Sequence, residues 1–201
     1  MATWRDRWVL IATIAASSMA FIDGFIVNLA LPRMQADFHA TAEDMAWIVE
    51  LYTLVLGSFI LLGGALADRY GRRRIFIIGT TLFAIGSLGC ALAWSIPSML
   101  TLRIFQAIGG MLVVPTSLAI ISAHFTGDAR ARAIAYWSAF GALTTTVAPL
   151  IGGVIIDTFG WRFVFWMNIP LAILVLYASF VHITESKSDR DATKLDLLGA
   201  A

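Results

Sequence analysis

Six apolar stretches, each about 20 residues or more and separated by short polar segments, restrict this chain more than any other feature. They cover residues 8–31, 45–67, 75–94, 98–122, 133–156 and 163–182, and Pro32 marks the expected end of the first. Such lengths suit a hydrocarbon layer about 30 Å thick, so the chain reads as an all-α, multispan membrane protein. Composition agrees: 59% of the 201 residues are hydrophobic and 13% charged, against about half and about a quarter in a soluble domain. Six spans absorb about 125 residues, which leaves little for a separate soluble catalytic domain and rules out a water-soluble enzyme. The first stretch exceeds the apolar core of a secretory signal and lacks a clean small-x-small cleavage site, so it reads as a retained helix.

Lys and Arg counts orient the spans. Arg5, Arg7, Arg69, Arg72, Arg73, Arg74, Arg130, Arg132, Lys187, Arg190 and Lys194 fall on one side, Arg33 and Arg162 on the other. Eleven against two puts the amino terminus and the even-numbered loops in the cytoplasm of a cell with this protein in its inner (plasma) membrane. Trp8, Trp47, Trp94 and Trp161 stand at span ends, where interfacial anchors are expected; Trp47 and Trp137 are the ones placed to meet a ligand. Gly57, Gly63, Gly64, Gly109, Gly110, Gly152 and Gly153 allow helices to approach closely, as in a compact bundle.

With 14 basic and 13 acidic residues the chain has no polyanion signature, and no nucleic-acid partner is expected. Cys90 is the sole cysteine and lies in an apolar run, while His39, His124 and His182 have no ligand spacing. Neither a metal nor an organic cofactor is expected.

Three ionisable residues lie inside spans: Asp23, Glu50 and Arg103. A charge in hydrocarbon costs several kcal/mol unless it faces protein, a partner or a wet cavity. At about 1.5 Å per residue, Asp23 lies about 13 Å and Glu50 about 8 Å below the outer boundary, with Arg103 at similar depth. Arg103 is therefore expected to pair with Asp23 or Glu50, leaving the second carboxylate to exchange a proton. The bland alternative is a fixed structural pair. Asn28, Tyr52, Gln106 and Tyr136 are further polar candidates for a cavity lining, and Phe25, Tyr52, Phe140 and Phe163 could touch an apolar ligand or simply pack.

The segment at 64–74, GALADRYGRRR, concentrates four arginines and an aspartate in a short turn. It resembles the Gly-x-x-x-Asp-Arg-x-Gly-Arg-Arg motif between the second and third spans of major facilitator superfamily transporters, matching at Gly64, Asp68, Arg69, Gly71, Arg72 and Arg73. The chain is similar in particular to the amino-terminal part of the fourteen-span drug:proton antiporters. FIDGFIVNLALP around Asp23 resembles that group's first span, and LRIFQAIGG resembles its Arg-x-x-Gln-Gly pattern, with Ala107 after Gln106. GWRFVFWMNIP at 160–170 and LDLLGA at 195–200 resemble the entrances to its sixth and seventh spans. The fifth-span signature survives at Pro149, Gly152 and Gly153, whereas Thr144 and Ala148 replace glycines. That pattern retains the helix-five kink but relaxes its packing.

The resemblance implies a six-helix transporter half built from inverted three-helix repeats, with proton coupling at Asp23 and Arg103; Glu50 joins them as a proton-coupling candidate from its depth in the second span alone. The resemblance also implies a cytoplasmic gating loop that latches the two halves together. Spans one, two, four and five would form this half's cavity and interdomain surfaces. The expected function is proton-coupled efflux of organic or drug-like compounds, powered by the proton gradient. Proton-coupled uptake of a small solute is one alternative, and a non-transporting membrane fragment needing a partner half is another. Expected partners are membrane lipid, a small organic substrate and a carboxy-terminal half. Residues 1–182 read as the bundle, 183–196 as a cytoplasmic linker and 197–201 as a truncated start of a seventh helix.

Overall fold

A computed structural model describes residues 3–187. Those residues form α1 (Trp4–Phe38), α2 (Ala42–Tyr70), α3 (Arg72–Ala91), α4 (Ile96–His124), α5 (Gly127–Phe159), α6 (Phe163–Trp166) and α7 (Asn168–Val181). With α6 and α7 taken as one interrupted span, six helical segments are long and apolar enough to cross a membrane. The linker expected beyond Lys187 and the start of a seventh helix lie outside the described residues.

Polar side chains set the helix starts. Thr3 and Asp6 form a reciprocal capping box on α1, Thr41 and Asp44 one on α2, and Ser95 and Ser98 one on α4. Each satisfies amide groups that a helix leaves unpaired at its first turn.

Two prolines behave differently, and the first departs from the expectation drawn from sequence. Pro32 does not end the first helix: α1 runs on to Phe38 and closes at His39 in the left-handed conformation, φ 51°. One missing N–H removes a single bond, and the added turns find partners: Arg33 pairs with Asp157 at 2.9 Å, and Asp37 with Arg162 at 3.0 Å. The last span, by contrast, is broken at Met167. Pro170 offers no N–H to the carbonyl of Trp166. Beside this break the Ser87 hydroxyl donates to the Phe165 carbonyl at 2.9 Å and accepts from the Asn168 amide at 3.0 Å.

Helix α4 is the axis of the bundle. In its most apolar stretch 67% of residues are buried, against 17% in α2 and in α5. It packs on α3, α2 and α1, while α5 lies mainly on α1 and α7 on α1 and α3. Small residues permit these crossings. A methyl group at Gly109 would run into the Phe83 backbone, with the Phe83 Cα at 2.6 Å, and one at Gly63 would strike the Met111 carbonyl oxygen. Buried side chains stack in three main layers. Val9, Phe76 and Val113 lie near the amino end of α1, Met19, Tyr52 and Phe83 in the middle, and Ile26, Met34, Met99 and Phe165 toward the far end. Trp161 belongs to the far layer: it is 3% exposed and its indole donates to Asp37 at 2.7 Å, so it packs inward instead of anchoring at an interface. The other three span-end tryptophans keep open surface.

Gly109→Ala should destabilise the bundle by about 1–3 kcal/mol because two backbones must separate. Gly153→Ala, where added carbon meets open space, should be neutral or stabilising by about 0.5–1 kcal/mol. Unfolding midpoints in detergent check the opposite signs.

Candidate functional site

Asp23 from α1 and Arg103 and Gln106 from α4 meet in the middle of the bundle, all at most 1% exposed. Arg103 and Gln106 are three residues apart and so share a helix face. One Asp23 oxygen accepts from the Arg103 guanidinium in a direct ion pair, and the other accepts from the Gln106 amide at 2.7 Å. The Gln106 carbonyl oxygen in turn accepts from Arg103 at 2.9 Å and faces the Cys90 thiol at 3.8 Å. Arg103 Nε donates to the Ile48 carbonyl at 3.2 Å, and the guanidinium lies 4.2 Å from the Tyr52 ring centroid. The Tyr52 hydroxyl donates to the Ala20 carbonyl at 3.1 Å. Three helices are thus joined through one guanidinium. Among the described residues, no buried side-chain polar atom is left without a partner.

The choice between the two acids resolves to Asp23. Glu50 stands on the exposed face of α2. It is two residues from both Ile48 and Tyr52, the positions that turn inward, and two residues rotate a helix by about 200°. The four cavity candidates also separate. Tyr52 and Gln106 are sealed inside the network. Asn28 is exposed and its amide donates to Gly24 of its own helix at 3.0 Å. Tyr136 is 54% exposed on α5. On that helix Pro149 is exposed within a continuous run, Gly152 receives the Ile26 side chain, and Gly153 faces open space. Ala148 is buried, so this position still packs without the glycine.

The arginine-rich turn is anchored within the chain. Gly71 bridges α2 and α3 at φ 108°, a conformation that favours glycine. Asp68 accepts from Arg72 at 2.8 and 3.0 Å, one turn along, and Arg69 lies against the Tyr70 ring. Gly64 lies near the Pro115 ring of α4, where added carbon would be 3.7 Å away. Arg73 reaches α7, donating to the carbonyls of Ser179 at 2.9 Å and Phe180 at 3.1 Å. Those carbonyls close a helix C-terminus, where a cation is favoured.

Reasoning from sequence missed Glu185. Its carboxylate accepts the backbone N–H groups of Arg73 and Arg74, both at 3.1 Å, while the Ser186 carbonyl accepts from Arg72 N–H at 3.0 Å. The segment after α7 therefore caps the start of α3. A signal was available: α3 opens on three arginines with no acid in its first turn, so its N-terminus needs an anion from elsewhere. The Asp6–His124 contact at 2.8 Å, joining the amino end of α1 to the end of α4, also went unread. Its histidine had no local ligand pattern to mark it. Glu185→Ala should speed amide hydrogen exchange at Arg73 and Arg74 about tenfold, in keeping with loss of charge-assisted hydrogen bonds. Amides in the middle of α4 should exchange as before.

Comparison with known proteins places this geometry. Residues 13–197 match the family model of the Major Facilitator Superfamily. The chain is 42% identical over 191 residues to multidrug resistance protein Stp of Mycobacterium tuberculosis, covering 94% of this chain and 35% of that protein. It is 38% identical over 198 residues to drug efflux pump JefA of the same species, covering 98% of this chain and 39% of that one. It thus spans between a third and two fifths of the length of these relatives. A crystal structure of a bacterial homologue of the human lysosomal transporter Spinster, in an inward-facing and occupied conformation, superposes with a TM-score of 0.75 at 21% identity. That match covers 94% of this chain and 47% of the other, and it speaks to the fold alone. A buried acid–arginine–glutamine network, the arginine-rich turn and a family match over nearly the whole length give one conclusion: the chain belongs to the major facilitator superfamily, a family of membrane transporters and not of enzymes.

Proposed function

We propose that this chain supplies the proton-handling part of a secondary transporter that exports organic or drug-like compounds. The observation that carries the reading is the carboxyl group of Asp23, fully buried and held by Arg103 and Gln106. Burial favours the neutral form of a carboxyl group, and an adjacent guanidinium favours the ionised form. A rearrangement that draws Arg103 away from Asp23 therefore loads a proton, and its return releases that proton. Gln106 bonds to both partners, so it holds the acid in register while the ion pair opens. Glu50, on an exposed face, stands apart from this exchange and meets whatever covers α2.

Transport requires two bundles that rock about a site between them. The poorly buried helices α2 and α5 offer surface for such a second bundle. We place the bundle at 1–182 against a carboxy-terminal half, with the 183–196 segment as the connecting linker. The α2–α3 turn then acts as the latch, with Asp68 and the arginines at the seam. The lysine and arginine asymmetry supports a plasma-membrane protein with a cytoplasmic amino terminus. The proton gradient serves as the energy source. The names of the relatives, a multidrug resistance protein and a drug efflux pump, support export over uptake.

The test is substrate-dependent proton flux in proteoliposomes containing the protein expressed from its full reading frame. Asp23→Asn and Arg103→Lys should each lower proton-driven export at least about 100-fold, as expected when an essential proton-transfer group is removed. They should leave counterflow exchange of substrate measurable. Export by Asp23→Asn that follows the wild-type pH profile would overturn the reading, and a proton gradient that drives accumulation instead of export would replace efflux by uptake.

A further inference from the structure

Tyr52 is a buried titratable group that the exchange between Asp23 and Arg103 leaves unused. It is 1% exposed, and its ring centroid lies 4.2 Å from the centre of the Arg103 guanidinium. The ring is held at its tip and along its flank. Its hydroxyl donates to the Ala20 carbonyl at 3.1 Å, about one turn before Asp23 on α1. Met19 and Phe83 pack in the same layer. Gly110 of α4 makes room for the tip, since a Cβ there would stand 3.4 Å from the hydroxyl oxygen. Phe165, also fully buried, approaches the guanidinium from α6 at 5.9 Å. That is near the outer limit of about 6 Å for a cation–π contact, so Tyr52 is the stronger aromatic partner.

A proton on Asp23 creates a problem that the ion pair does not solve. The proton joins a carboxylate oxygen and the acid becomes neutral, but the guanidinium keeps its charge. A buried charge that loses its partner is strongly unfavourable. The Ile48 and Gln106 carbonyls stay in place, accepting one hydrogen bond each at 3.2 and 2.9 Å. The Tyr52 ring adds a diffuse negative face close to the centre of the cation. That face attracts the guanidinium and repels a carboxylate beside it. Its net pull is therefore weaker while the ion pair is closed and stronger once Asp23 is neutral.

Among the described residues, the titratable or charged groups around Asp23 are Arg103 from α4, the Tyr52 phenol from α2 and the Cys90 thiol from α3. The thiol is turned to the Gln106 carbonyl oxygen at 3.8 Å, and Glu50 is on the exposed face of α2. Only Tyr52 presents a face to the guanidinium from the helix that also supplies the Ile48 carbonyl. We propose that Tyr52 is a positioning residue whose ring is the seat that holds the Arg103 guanidinium while Asp23 carries a proton, a role that rests on the proton-handling reading above.

Infrared difference spectra of the protein expressed from its full reading frame test the seat without transport. The stretching band of a protonated Asp23 carboxyl is identified by its loss in Asp23→Asn. At the pH where half of these carboxyls are protonated in the wild type, Tyr52→Leu should lower the ratio of protonated to ionised form about tenfold, equivalent to about 1.4 kcal/mol. Tyr52→Phe keeps the face and gives up the bond to Ala20, so it should restore the ratio to within about threefold of wild type. Replacing Tyr52 by phenylalanines with one, two and three ring fluorines keeps the shape while draining charge from the face. The ratio should fall stepwise along that series, which serves if Tyr52→Leu does not fold. Proton-driven export should fall in the same order, with counterflow exchange of substrate retained. Equal losses in Tyr52→Leu and Tyr52→Phe would overturn the seat and leave Tyr52 as a tether to α1, and so would a ratio indifferent to fluorination. A wild-type protein with no such band at any pH at which it stays folded would overturn the proton-handling reading and the seat with it. A band that depends on the ring, in a protein without proton-driven export, would instead overturn the transport reading and leave the seat standing.

Discussion

An arginine cannot be left alone inside hydrocarbon, and much of this bundle is arranged around that constraint. Arg103 takes its counter-charge from α1, a backbone carbonyl and an aromatic face from α2, and a side-chain carbonyl from its own helix. Removing one partner of such a pair costs about 3–5 kcal/mol, because the other stays buried and charged. The three helices are therefore registered against one another by electrostatics as well as by packing.

The two ends of the bundle are secured by different means. At the far end, Arg33, Asp37, Asp157 and Arg162 link the extended tip of α1 to the end of α5 and the turn after it. These pairs are largely exposed and individually worth about 0–1 kcal/mol. At the arginine-rich end the links are backbone-directed: Glu185 caps α3, and Arg73 closes α7. Charge-assisted bonds to helix termini are stronger than exposed ion pairs. The turn carrying the family motif is thus held from inside its own half, and an outside partner would bind to an already ordered surface. Between the ends, α4 is enclosed while α2 and α5 keep long uncovered faces.

How much of this was legible beforehand follows the range of each interaction. The six apolar spans, the enclosed Asp23 and Arg103 and the tight turn at Gly71 follow local patterns, although α1 runs past Pro32 and Glu50 is exposed. Pro32 and Pro170 look alike in sequence yet behave differently, because helix continuity depends on what lies across the bundle. The tip of α1 beyond Pro32 is tied to Asp157 and Arg162, whereas the break before Pro170 lies where Ser87 bonds the Phe165 carbonyl and the Asn168 amide. Glu185 was missed because its partners are more than a hundred residues away. The assignment of Arg103 to Asp23 and not Glu50 depended on helix rotation, which estimates of depth alone do not include.

Sequence by itself determined that this chain has six membrane-spanning segments, that three ionisable residues fall within them, and that its loop motif marks the superfamily. Hydrophobic length and charge are properties of residues and need no partner to be read. Only the tertiary structure decided which acid is enclosed, which span-end tryptophan packs inward, and which glycines let backbones touch. Those outcomes depend on how each helix is turned toward its neighbours. Rotation is set by the sum of many contacts between distant segments, and no single segment contains it.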